Sequence, residues 1–228
     1  MTDRYKSYWL PGLDNDDVDP DEVLHSAFVW LETEPYSGER LVVMNTLGMT
    51  ENRPFLAEAS ASYTVISPKA RRRIGTASGP GNAVLAIWPA HETLELAEVL
   101  ARDGSLCVIP GSLDDMSPWI HRTSAHALWD IDSPDDDPLR LDEPVRSALD
   151  SIVAFDGHNN FLGAGGKEHA VRKLRAMIAD GHRPDPSTLE NYVLVHGTRS
   201  FRGARRLREW YEGLLQGRRF YDYARRPI

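Results

Sequence analysis

The stretch that decides the fold is Ala83–Pro110, in which an apolar run, Ala83-Val84-Leu85-Ala86-Ile87-Trp88, leads through Glu92–Arg102 to a second run, Ser105-Leu106-Cys107-Val108-Ile109-Pro110. Both runs have strand length, and between them Leu94, Ala97, Leu100 and Ala101 recur at helical spacing. Strand, helix and strand with short connections form a βαβ unit, which implies parallel pairing and a right-handed crossover. Neither run alternates with polar residues, so both faces of the sheet are expected to be covered.

Upstream of this unit, Arg40–Leu47 and Ser62–Ser67 are rich in β-formers and read as further strands. Val23–Glu32 places Leu24, Phe28 and Leu31 at helical spacing and reads as a short helix or strand. The expected N-terminal domain is therefore α/β, with a small mixed sheet over residues 23–129, preceded by an acidic lead-in at 1–22. Residues 130–144 are rich in Asp and Pro with few core formers and read as a linker. Beyond them the patterning is helical only: about Pro144–Phe155, Gly166–Ala179, Pro186–His196 and Phe201–Leu215. Pro186, the Ser187-Thr188-Leu189-Glu190 capping pattern, and Gly181, Gly197 and Gly217 mark starts and stops. An all-α domain with a basic tail is expected over 145–228.

The charge follows the same division. The 228 residues carry a formal charge of −8. Residues 1–139 hold 10 Lys and Arg against 23 Asp and Glu, a net of −13, whereas residues 140–228 hold 16 against 11, a net of +5. The acidic total thus hides a basic helical part, and it is local charge that governs attraction to polyanions. One cysteine, Cys107, excludes an intramolecular disulfide and a cysteine-built zinc site, which suits a reducing, cytoplasmic setting. No run approaches the roughly 18 apolar residues of a membrane helix, and the first residues lack a signal-peptide core; no membrane association is expected.

Four places invite chemistry. The turn Trp88-Pro89-Ala90-His91-Glu92 stands where a dinucleotide fingerprint would lie, but it has no glycine, Pro89 removes a donor and Glu92 brings negative charge, so no nucleotide cofactor is expected. Asp114 and Asp115, after the second strand, are weak candidates for Mg²⁺; helix capping by Ser112 is the favoured reading. The segment Asp156–His169 supplies a possible anion site from His158, Asn159, Gly165, Gly166 and Lys167, because glycine backbone N–H groups at a helix start attract anions. It lacks the Ser or Thr after Lys167 that a P-loop requires.

The fourth is the C-terminal helix pair. Pro186–His196, the turn Gly197-Thr198-Arg199 and the helix from Phe201 have helix-turn-helix order. Arg199, Arg202, Arg205 and Arg206 crowd the start of the second helix. Arg218, Arg219, Arg225 and Arg226 follow it, interleaved with Phe220, Tyr221 and Tyr223. The leading expectation is a non-catalytic binding or regulatory protein whose basic helical part engages nucleic acid or an acidic protein, with Arg199, Arg202, Arg205, Arg206, Arg218 and Arg219 as contacts. The alternatives are a phosphate-handling enzyme built on Gly163–Lys167 and a subunit of a protein assembly. Composition does not set an oligomeric state.

Overall fold

The computed structural model describes residues 5–12, 18–50, 56–57, 61–70, 77, 79–129, 141–198 and 201–220, the side chains of Met49, Thr50 and Asp114 excepted. The chain divides into two compact units, Met1–Pro134 and Asp135–Ile228.

The first unit is a sheet in which every pair of strands is parallel. Its strands are β1 (Lys6–Trp9), β2 (Arg40–Met44), β3 (Thr64–Ile66), β4 (Ala83–Ile87), β5 (Ser105–Ile109) and β6 (His126–Ala127), in the order β3-β2-β4-β5-β1-β6. The inferred βαβ unit is present as β4, α2 (His91–Leu100) and β5, with Ala83 opposite Ser105 and Ile87 opposite Ile109. Two expectations need correction. Among the described residues the strand pairing is all parallel, not mixed, and the supposed lead-in contributes a strand one place from the edge, with Trp9 and Leu10 fully buried. Val23–Glu32 lies within helix α1 (Pro20–Thr33), capped by Asp19, whose carboxylate accepts from the Asp21 N–H at 2.9 Å.

Alternation along the strands assigns the two faces. Val42, Met44, Leu85, Ile87, Cys107 and Ile109 gather with Val23, Leu24, Ala27, Phe28 and Leu31 of α1. The intervening Leu41, Val43, Val84, Ala86, Leu106 and Val108 are buried too and point the other way. On that side α2 packs on β4 and β2, and α3 (Leu113–Thr123) is tied to β1 by the Ser7 hydroxyl donating to the Thr123 carbonyl at 3.0 Å. A right-handed crossover moving from β1 to β2 and another moving oppositely from β4 to β5 require this two-sided arrangement. Glu98 of α2 gathers the far face: its Oε1 accepts from Tyr5 Oη (2.7 Å) and Trp119 Nε1 (3.1 Å), and it pairs with Arg122.

The chain leaves β2 and β4 in opposite directions, so a crevice would open between their carboxyl ends. Asn45 fills this point. Its Nδ2 donates to the Trp88 carbonyl (2.8 Å), and its Oδ1 accepts from the Ala90 N–H (2.7 Å) and the Thr93 hydroxyl (2.6 Å). Asn45 thus ties the turn before α2 to the end of β2, and Trp88 within that turn holds φ at +46°. At the opposite end of the strands, the 1 % exposed Asn82 accepts from the Glu39 N–H (2.8 Å). It also donates to the carbonyls of Ala77 (3.0 Å), Gly79 (2.9 Å) and Leu100 (2.8 Å).

Among the described residues the second unit holds four α-helices: α4 (Glu143–Asp156), α5 (Gly166–Ala179), α6 (Pro186–His196) and α7 (Phe201–Leu215). α4 packs on α5, α6 on α7, α5 on α7 and α4 on α6. α4 starts inside the stretch read as linker, with Leu141 already buried before it. The capping pattern Ser187–Glu190 does not form. Asp185 is the N-cap, accepting from the Ser187 N–H at 2.8 Å, while Glu190 turns inward to Arg208. Among the described residues no helix is long and apolar enough to cross a membrane.

Replacing Asn82 by Ala leaves the Glu39 N–H and three carbonyls without their partner, and loss of buried hydrogen bonds of this kind amounts to about 2–4 kcal/mol. Urea unfolding of Asn82→Ala is expected to show a lower midpoint with an unchanged slope; a wild-type midpoint contradicts the assignment.

Candidate anion-binding groove of the helical unit

The site is built by the way α7 ends. Gly217 takes φ +77°, the Arg218 N–H donates to the Gly213 carbonyl (2.8 Å) and the Gly217 N–H to the Leu214 carbonyl (3.0 Å). These are the paired bonds of a Schellman turn, which reverses the chain at a helix end. The reversal brings Phe220 back onto α7 at Gly213, where a β-carbon would stand 3.0 Å from the Phe220 Cζ. A glycine inside a helix is about 1 kcal/mol less favourable than alanine; here it makes room for the ring. Lys167, from the first turn of α5, and Arg218 each hold a cation 5.5 Å from the ring centre.

Beside the ring opens a groove of about 490 Å³, lined by Arg175, Ile178, Leu214, Arg218, Arg219 and Phe220. Its floor is apolar and its rim carries three guanidinium groups, all exposed. No carboxylate pairs with any of the three among the described residues. Arg218 and Arg219 belong to the arginines expected as contacts. Arg175 does not, because only the packing of α5 on α7 brings it to the same groove.

The other expected contacts are placed differently. Arg199 lies outside the described residues. Arg202 and Arg205 are exposed on α7, and Arg205 stands 3.6 Å from Glu209 one turn on. Arg206 is half-buried and donates to the Asn160 carbonyl. Arg208 binds Glu190 (2.9 Å) and Glu212 (2.8 Å), and these carboxylates hold its guanidinium more firmly charged than usual. The head of α7 therefore spends much of its charge on the protein itself, whereas its tail does not.

The glycine-rich turn encloses an anion belonging to the chain. The Asp156 carboxylate, 4 % exposed, accepts from the Gly163 N–H (2.7 Å) and Asn159 Nδ2 (3.0 Å). A β-carbon on Gly166 would stand 2.1 Å from Asp156 Oδ2, so glycine there is required for the approach. Of the expected anion ligands, Asn159 thus serves Asp156 and Lys167 faces Phe220; His158 and Gly165 are exposed, and Gly166 is buried.

One pair that sequence spacing did not reveal resembles a nucleophile and its base. Ser151 Oγ lies 3.3 Å from His169 Nε2, on the neighbouring helix. Arg172, which can only donate, points its guanidinium at His169 Nδ1 from 3.0 Å. Nδ1 must then accept, the ring proton sits on Nε2, and Ser151 receives a hydrogen bond rather than losing its proton. Burial, followed by the charge of Arg172, pushes the His169 pKa below its ordinary value, and the ring stacks on Phe155 at 4.2 Å.

Asp115 is exposed at the start of α3, where Ser112 occupies the cap position without a side-chain cap bond. Among the described residues no three His, Cys, Asp or Glu side chains gather as a metal site. Burial also pushes the Cys107 thiol well above its ordinary pKa, so it is not a nucleophile at neutral pH. No protein-family model, curated protein or solved structure matches this chain.

A histidine with a lowered folded pKa takes up its proton more readily in the unfolded chain, so its contribution to stability is complete above about pH 6.5 and is lost as the pH falls below that value. The His169 ring resonances are expected to titrate below pH 6.5 in NMR spectra. Between pH 7.5 and 5.5 the urea midpoint is expected to fall less for His169→Gln than for the wild type; a ring titrating at or above 6.5 contradicts the assigned environment.

Proposed function

We propose that this is a non-catalytic binding or regulatory protein whose basic helical unit engages nucleic acid. The observation that carries the reading is the groove at the end of α7, where Arg175, Arg218 and Arg219 stand around an apolar floor and no carboxylate among the described residues pairs with them. Guanidinium groups without a carboxylate partner are available to phosphates, and each phosphate they neutralise releases condensed counterions. The enzyme reading has weaker support. The Gly163–Lys167 turn closes on Asp156, and the Ser151–His169 pair has its proton on the wrong nitrogen for base catalysis.

Fluorescence anisotropy with labelled mixed-sequence oligonucleotides, titrated between about 50 and 200 mM salt, tests the proposal. Affinity is expected to fall steeply with salt. Arg175→Gln, Arg218→Gln and Arg219→Gln are each expected to weaken binding and reduce the slope against log salt by about 1. Arg205→Gln, already paired with Glu209, is expected to change it less. Absent or salt-insensitive binding removes the proposal.

A further inference from the structure

We infer that the nucleic acid held by this groove is single-stranded, with a base against the Ile178–Leu214–Phe220 floor and its flanking phosphates on Arg175, Arg218 and Arg219. The inference rests on the nucleic-acid reading and narrows it. Three features point away from a duplex. Reading a major groove requires a protruding element whose exposed side chains reach base edges. The head of α7 offers little of this: Arg202 and Arg205 are exposed, but Arg206 is turned to the Asn160 carbonyl, and Glu209 and Glu212 lie along the same helix beside Arg205 and Arg208. Carboxylates there would meet phosphate with like charge.

The unpaired cations line a concavity instead. Its volume of about 490 Å³ lies within the range of small-ligand sites and suits a single nucleotide with its phosphate, not the breadth of a double helix. Its floor also matters. A duplex hides its base faces in its own stack, so an apolar floor beneath three arginines gains nothing from it. An unpaired base exposes a π-face and edge that such a floor can cover, and the combination of a basic groove with an aromatic side chain is how sequence-tolerant single-strand binding is achieved. Gly213 adds an independent sign: the ring of Phe220 is seated where an added β-carbon would crowd it at 3.0 Å, so the close seating comes at the expense of helix propensity.

The test uses the full chain and three labelled probes: a 12-nucleotide oligo(dT), a 12-base-pair duplex and polyglutamate. Oligo(dT) is expected to bind at least 10-fold more tightly than the duplex at equal salt. Phe220→Ala is expected to weaken oligo(dT) binding roughly 5- to 150-fold, the effect of losing one stacked base, while leaving the salt slope unchanged. Arg219→Gln is expected to lower the slope. Gly213→Ala, which crowds the ring without touching a charge, is expected to weaken oligo(dT) binding less than Phe220→Ala does, and far-UV circular dichroism checks that both variants retain their helices. Equal or tighter duplex binding, or a silent Phe220→Ala in a folded protein, overturns the single-strand inference and leaves the nucleic-acid reading standing. Polyglutamate binding as tightly as oligo(dT) overturns it in favour of an acidic protein partner. No binding to either oligonucleotide removes both readings.

Discussion

A parallel strand cannot be reached from its neighbour by a tight turn, and this constraint organises the first unit. The chain must cross the sheet between strands, and each right-handed crossover lands on a face set by its direction of travel. The run from β1 to β2 moves one way and lays α1 on one face; the steps from β4 to β5 and from β5 to β6 move the other way and carry α2 and α3. With both faces covered, each central strand is apolar throughout, and polar side chains are admitted only at strand ends. There Asn45 and Asn82 replace water for backbone groups that the crossovers leave unpaired.

In the helical unit the corresponding constraint is the hydrogen bonding of buried carboxyl groups. Asp156 and Glu190 lie in the interior, where an unpaired carboxylate is strongly unfavourable. Asp156 is solved by folding a glycine-rich turn around it, and Glu190 by drawing in Arg208 from α7. The first solution consumes Asn159, which the sequence offers as an anion ligand, and the second consumes Glu190, which the sequence offers as part of a cap. Subtraction leaves Arg175 on α5 and Arg218 and Arg219 beyond the end of α7, which no carboxylate among the described residues reaches.

The parts of the fold legible in the sequence are those carried by local signals. The βαβ unit was marked by two apolar runs and a helical stripe, and the four C-terminal helices start and stop at Pro, Asp and Gly within about a residue of their expected limits. The parts that were missed lack such signals. β1 pairs Lys6 and Ser7 with Tyr8 and Trp9 beside an acidic segment, and β6 has two residues; both are strands only because β5 and β1 are there to receive them. Parallel against mixed pairing is a matter of topology that no single strand encodes. In the site, Arg218, Arg219 and Phe220 could be picked out as a basic and aromatic tail. Arg175 could not, since its membership depends on how α5 meets α7, and neither could the capture of Glu190 by Arg208, which breaks a capping pattern in favour of a tertiary contact.

The seating of Phe220 on Gly213 has a consequence for the energetics of anything bound there. Helix ends fray, and residues beyond a C-cap are ordinarily among the first to open. One wall of this groove consists of such residues, so the closed groove exists only while the terminal turn is formed and the ring is in place. On the proposed reading, filling the groove and ordering the chain end would be a single equilibrium: an anion bridging Arg175 to Arg218 and Arg219 would fasten the end of α7 to α5, and part of its intrinsic affinity would be expended in holding that turn shut.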